Sequence, residues 1–291
     1  MNNHNLSEKY QLSVVIPTLG GETLKGTIEK LNRSTLVPKE ILVCIPKTHA
    51  HKVLDLIIPN VKIFETSFGG QVAQRAYGFT LVKYPFVLQV DDDLEVSETC
   101  LSELVTFITS KQNVAVAPSL LGHINGKLSN YMSKPDEYSS WVYKSLFWII
   151  NGKKGYQAGL ISKAGVNMGF SSEATEPYEV DWLPGGCALH LRENLITYNY
   201  YPYKGKAFAE DLFHSAILRE NGIRLYHCPA AIVNLDNTSS RSTGLKSLVK
   251  IFLSYSRIMM RFAAFTGSSR LRLFFFLILH HLILISRKLR L

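Results

Sequence analysis

The chain has 291 residues, 46% of them hydrophobic and 19% charged, which allows one large domain or two modest ones with a substantial core and excludes a disordered chain. Its four cysteines, Cys44, Cys100, Cys187 and Cys228, form no C-x-x-C pair and no metal-ligand spacing, which excludes a disulfide scaffold and a zinc module and fits reduced thiols in a cytosol. The net charge of +9 is local: from Arg241 onward there are ten basic residues and no Asp or Glu, leaving residues 1–240 at about −1, so a near-neutral body carries a cationic tail suited to an anionic partner.

The first residues, MNNHNLSEKY, lack a basic region followed by an apolar one, so no secretory signal is expected. Residues 12–17 (LSVVIP) read as a buried strand, followed by a Gly20-Gly21 turn and a helix over 22–31. Residues 40–45 (EILVCI) give the next strand, with a helix near 51–57 and a third strand over 61–64. Beyond Gly69-Gly70 a helix reaches about Val82, and the strand 86–90 then runs straight into Asp91-Asp92-Asp93. Short β-rich runs alternating with helical patterns indicate an α/β fold with a mostly parallel sheet. In such sheets ligands bind at the carboxyl ends of strands, where the acidic triplet lies.

From Ser119 the pattern loosens. Asn125-Gly126 suggests a hairpin turn, and residues 133–184 read as loops and short elements over the sheet. A short strand follows near Leu189, and an amphipathic helix spans 210–221 with Gly222 in the usual stop position. The tail changes character: Lys246, Lys250, Arg257 and Arg261 fall within an arc of about 60°, with Leu248, Val249, Phe252, Met259, Phe262 and Ala263 roughly opposite. Residues 273–286 form the longest uncharged apolar run, of about 21 Å as a helix, short of the roughly 30 Å of a hydrocarbon core. The reading is therefore a catalytic domain over 1–240 and, over 241–291, a basic amphipathic helical tail that lies on an anionic membrane surface, against the plainer alternative that both helices pack on the domain.

Three consecutive aspartates at a strand end repel one another unless a cation or hydrogen bonds offset the charge. A hard divalent ion such as Mg²⁺ or Mn²⁺ takes one or two carboxylates and completes its shell with water and substrate phosphates, which describes a nucleoside-diphosphate site. The plainer alternative is a solvated acidic turn. For Glu210 and Asp211 it is two acids that complement a helix N-terminus.

The segments SVVIPT (13–18), GGQVAQRAYGF (69–79), YPFVLQVDDDLEV (84–96), WLPGGCAL (182–189) and AFAEDLFHSAILRENGIRL (207–225) occur in an order and spacing that resembles the family-two inverting glycosyltransferases of the GT-A fold, of the bacterial surface-polysaccharide type. The resemblance implies a Rossmann-type sheet over about residues 12–235 and a role for each matching position. Pro17 and Thr18 would line the nucleotide base, and Arg75, Asp91, Asp92, Gly185 and Gly186 would bind the donor. Asp93 and Asp91 would ligate Mg²⁺ or Mn²⁺, Asp211 would act as general base on the acceptor hydroxyl, and Glu210 would orient it. Two positions depart from the family pattern. Cys44-Ile45-Pro46-Lys47 stands where an acidic residue commonly contacts the base, and Leu235 stands where many members carry a further histidine ligand, with His227 the nearest histidine.

The resemblance therefore implies transfer of a sugar from a nucleotide-sugar donor to a glycan or lipid-linked acceptor, at the cytoplasmic face of the inner membrane. Displacement at an anomeric carbon needs one base and one cation, which the implied residues supply. A nucleotidyltransferase with a related acidic site is the nearest alternative, but Leu19-Gly20-Gly21-Glu22 lacks the basic residue its phosphate loop would need. A basic-tailed nucleic-acid-binding protein is the other, and so many Leu and Ile residues beside the tail's charges speak against it, so no nucleic-acid partner is expected.

Overall fold

The computed structural model describes residues 8–124, 127–130, 140–203, 207–235 and 245–289. The chain divides into two compact units, one of residues 1–132 and 173–238, the other of 133–172 and 239–291.

The first unit is built on a ten-stranded mixed sheet. Strands β1 (Leu12–Pro17), β2 (Glu40–Pro46), β3 (Val61–Thr66) and β4 (Phe86–Val90) are joined through α1 (Leu24–Asn32) and α2 (Gln71–Leu81), and pair in parallel in the order β3-β2-β1-β4. Every residue of β1 and β2 is buried, as expected of central strands covered on both faces, and their runs of Val, Ile and Leu follow from that position. The chain first builds outward from β1 on one side and then returns to its other side with β4. The sheet therefore has a topological switch point between the carboxyl ends of β1 and β4.

The remaining strands are β5 (Leu94–Val96), β6 (Val114–Ile124), β7 (Lys127–Asn130), β8 (Tyr178–Val180), β9 (Cys187–Leu191) and β10 (Arg224–Leu235), with α3 (Cys100–Thr109) before β6. β9 enters antiparallel between β4 and β6, and β10 pairs in parallel with β6. This continues the sheet as β9-β6-β10-β5. The expected parallel character holds in the first half and around β6 and β10, while β9, β7, β8 and β5 are antiparallel. β6 and β7 pair antiparallel up to Ile124 and Lys127, whereas the anticipated turn at Asn125-Gly126 lies outside the described residues. The helix expected near 51–57 is instead a 3-10 turn over Lys47–Val53, and Pro59 disfavours the helical conformation for Ile58 before it. All four cysteines are buried free thiols.

The second unit joins α4 (Trp141–Asn151) to the two terminal helices, α6 (Leu245–Phe265) and α7 (Arg270–Leu289). α7 packs against both α4 and α6. The Arg272 guanidinium donates to the Ile149 carbonyl at 2.7 Å, and Ser269 N donates to the Lys163 carbonyl at 2.8 Å. Leu146, Ile150, Met259, Phe262, Ala263, Leu273 and Leu277 are buried in this unit. Residues 140–172, which read as irregular in the sequence, thus belong with the tail.

Candidate active site

The acidic triplet leaves β4 where β9 pairs with it. Val90 lies opposite Cys187, and the next ladder bond runs from Asp91 N to the Gly186 carbonyl at 2.8 Å. The buried Gln89 side chain donates to the Gly185 carbonyl at 2.9 Å and holds that loop to the strand. A Cβ on Gly186 would stand 3.4 Å from Asp91 Oδ2, and one on Gly185 would collide with Glu210 Oε1. The bare backbone of Gly185-Gly186 thus lets the strand end and the start of α5 (Glu210–Glu220) approach each other.

Arg75, on α2, joins the two acidic groups. It is 2% exposed, and its Nη1 donates to Glu210 Oε1 at 3.0 Å and Oε2 at 3.3 Å, while its Nη2 lies 3.5 Å from Asp91 Oδ1. Burial disfavours the Arg75 charge, but Glu210 and Asp91 outweigh it, so the guanidinium stays protonated. Gln71 donates to Asp91 Oδ1 at 2.7 Å and the Tyr200 hydroxyl to Glu210 Oε2 at 2.7 Å. Tyr200 stacks on His214 with centroids 5.3 Å apart. Burial, reinforced by the Arg75 charge, lowers the His214 pKa to about 3, so this ring is a neutral platform.

Charge accumulates at the two ends of this network. Burial pushes Asp91 up to about 6 against the pull of Arg75, with the Glu210 and Asp93 charges adding to it. Asp211 rises to about 7, first through burial and then through the charge of Glu210, although it accepts a bond from Leu212 N at 3.0 Å. The residue before this acidic pair, Ala209, sits at φ 53°, a left-handed conformation costly for a residue with a Cβ.

A cleft of about 830 Å³ opens at the switch point. Pro17, Thr18, Gln71, Gln74, Asp91, Asp92 and Asp93 line it together with Asn199, Tyr201, Pro202, Tyr203 and Ala207. Arg75, Gly185, Gly186, Glu210 and Asp211 adjoin this lining through their contacts with Asp91 and with one another. Thr18 Oγ1 donates to Asp92 Oδ2, and Thr27 Oγ1 donates to the Asp92 carbonyl at 3.0 Å, so Asp92 ties the acidic turn to β1 and α1. Asp93 is the most exposed of the three.

Among the described residues no three His, Cys, Asp or Glu side chains converge to hold a metal by themselves. Two carboxylates, Asp91 and Glu210, nevertheless meet at one buried guanidinium, and the Asp93 charge adds to the cost of ionising Asp91. Two hard oxygen donors facing a cleft with room for phosphate fit Mg²⁺ or Mn²⁺. Leu235 pairs with Leu94, so the position that departs from the family pattern lies beside the acidic turn and carries an apolar side chain. His227 is fully buried, with Nε2 3.1 Å from Ser119 Oγ.

Four residues at this site escape sequence reasoning: Gln71, Gln74, Gln89 and Tyr200. Gln74 donates to the Thr18 and Cys44 carbonyls at 2.8 and 2.7 Å, joining the ends of β1 and β2. The first three carry a usable signal. Gln71, Gln74 and Arg75 fall at i, i+3 and i+4 on one helix face, and Gln89 interrupts an apolar strand. Tyr200 is one of several tyrosines in a stretch without period.

The sequence model of glycosyl transferase family 2 matches residues 13–177, more than half of the chain. No curated protein matches in sequence. Among solved structures, GalNAc-T7 crystallised with UDP, GalNAc and Mn²⁺ is similar at 18% identity and a TM-score of 0.58, covering 85% of this chain and 48% of that one. Residues 1–349 of S. aureus TarS are similar at 15% identity and a TM-score of 0.50, covering 92% of this chain and 69% of that one. The chain thus spans about half the length of the first of these structures, and the likeness to both is one of fold, GT-A.

Proposed function

Because the chain belongs to glycosyl transferase family 2, we propose that it moves a sugar, a hexose or a relative of one, from a nucleoside-diphosphate donor to a glycan or lipid-linked acceptor with inversion. The proposed setting is cell-surface polysaccharide synthesis, with the protein peripheral on the cytoplasmic face of the inner membrane. The observation that carries the reading is the joining of Asp91, at the end of β4, to the start of α5, residues Glu210 and Asp211, through Arg75.

Pro17 and Thr18 would receive the base at the switch point, with the diphosphate toward Asp91 and Asp93. These two carboxylates would hold Mg²⁺ or Mn²⁺, whose chemistry there is to offset charge on the departing diphosphate. The Mn²⁺ and UDP crystallised with the related GalNAc-T7 support that donor class. Asp211, with its pKa raised to about 7, is matched to take a proton from a hydroxyl near neutral pH. One base and one leaving group give a single displacement and hence inversion. Glu210, held by Arg75 and Tyr200, fixes the start of α5 and keeps negative charge beside the base.

Two variants test this reading. Asp93→Ala is expected to abolish Mn²⁺-dependent nucleotide affinity with an unchanged melting temperature. Asp211→Asn is expected to lower transfer by at least about a hundredfold, the scale of general-base catalysis, while donor binding persists. Retained turnover in the second variant would reject the base assignment, and unchanged Mn²⁺ dependence in the first would reject the metal site.

A further inference from the structure

The exposed apolar side chains of the second unit are arranged. On α7, Leu271, Phe274, Phe275, Ile278, Leu279 and Leu282 are 39–68% exposed, and they recur at i, i+3, i+4, i+7, i+8 and i+11. At 100° per residue they occupy one arc of about 140°, while Leu273, Phe276 and Leu277 on the other side are buried. Arg270 and Arg272 border that arc, about 100° to either side of its first residue. On α6 part of the apolar face expected to lie on the membrane is instead covered. Met259, Phe262 and Ala263, read as its free apolar face, are buried inside the unit.

Charge indicates what covers the stripe. Residues 140–172 contain four lysines and residues 245–289 eight basic residues, and neither segment contains an Asp or Glu. A second copy laid stripe to stripe would bring arginine borders together with no acid from residues 140–172 or 245–289 to offset them. Nucleic acid would satisfy the cations but leave Leu271, Ile278 and Leu282 in water. A bilayer with anionic headgroups satisfies both features, since it takes an apolar stripe into its interface and gains from each bordering cation.

We infer that α7 is the element that inserts into an anionic membrane surface, lying in the interfacial plane with its Leu271 to Leu282 stripe toward the acyl chains and Arg270 at headgroup level. This deepens the membrane partner proposed above and rests on it, not on the transfer chemistry.

The test uses the full chain and vesicles of phosphatidylcholine with or without phosphatidylglycerol. Phe274→Ser combined with Phe275→Ser should reduce partitioning to the anionic vesicles more than about tenfold, because each removes a large apolar surface from the interface, with melting temperature and UDP affinity in Mn²⁺ unchanged. If that double variant unfolds, Phe275→Cys carrying an environment-sensitive dye decides the matter, because the four native cysteines are buried. Its emission should shift to the blue on adding anionic vesicles. Undiminished partitioning of a folded double variant, or an unshifted dye, overturns the assignment. So does a dimer that the same substitutions dissociate, or salt-sensitive DNA binding that they abolish. Loss of UDP affinity with vesicle binding intact would fault the donor site and leave this inference standing.

Discussion

Asp211 shows how one residue sets both pH dependence and stability. Its pKa rises from the ordinary 3.8 to about 7 on folding, so between those values the folded chain binds a proton that the unfolded chain does not. The contribution of this group to stability is therefore greatest below about pH 4 and is lost as pH rises through about 7. Activity should run the opposite way, with the transfer rate rising to a plateau with a midpoint near 7. Asp211→Asn removes the ionisation altogether, so its melting temperature should exceed that of the wild type at pH 8 and match it at pH 4, as paired melting curves would show. Tyr200 acts through a neighbour. Tyr200→Phe removes the hydroxyl that donates to Glu210 at 2.7 Å, at a cost of about 1–3 kcal/mol for a charged acceptor left short of a partner. The turnover number should fall and the pH midpoint shift, with donor affinity nearly constant. An unshifted pH profile would reduce Tyr200 to a packing residue.

Among the elements, α2 bears most directly on the site, because one helix presents Gln71 and Arg75 to Asp91 and Gln74 to the ends of β1 and β2. Its placement depends on Gly78. A Cβ there would lie 2.5 Å from Val15 Cγ1 and 2.9 Å from Cys44 Sγ, so the helix rests on the sheet at a distance only glycine permits. Gly78→Ala should lift α2, destabilise the fold by about 1–3 kcal/mol as overpacking does, and weaken Mn²⁺-dependent nucleotide binding beyond what the lost stability explains. A thermal-shift series with and without UDP and Mn²⁺ separates these effects, since a ligand of the folded state raises stability by a set amount for a given affinity. The β5 strand makes a similar point in reverse. Three residues long, it pairs with the end of β10 and carries too short a pattern to be found without that partner.

At the scale of the whole molecule, the division of the chain differs from a body and an appended tail, because α4 shares a unit with α6 and α7. Truncation after residue 244 should therefore leave Leu146, Phe147 and Ile150 of α4 uncovered. Such a chain is expected to aggregate in size-exclusion chromatography, whereas substitutions on the exposed stripe of α7 keep it monodisperse. Much of the rest was legible in advance. The both-face-buried β1 and β2 declare themselves through their apolar runs, while the acidic end of β4 and the ED start of α5 stand out as clusters of acids whose roles only the family resemblance implied. Which residues of α6 face water was not legible, because an amphipathic pattern states that one side is apolar and not what covers it. Nor was the use of Arg75, whose partners stand 16 and 135 positions away along the chain. Sequence by itself determined the order of β1 to β4 and the chemistry available at the strand ends. Only the tertiary structure decided which charges are buried together and which apolar faces stay uncovered, because burial and pairing depend on distances in space that periodicity along the chain does not encode.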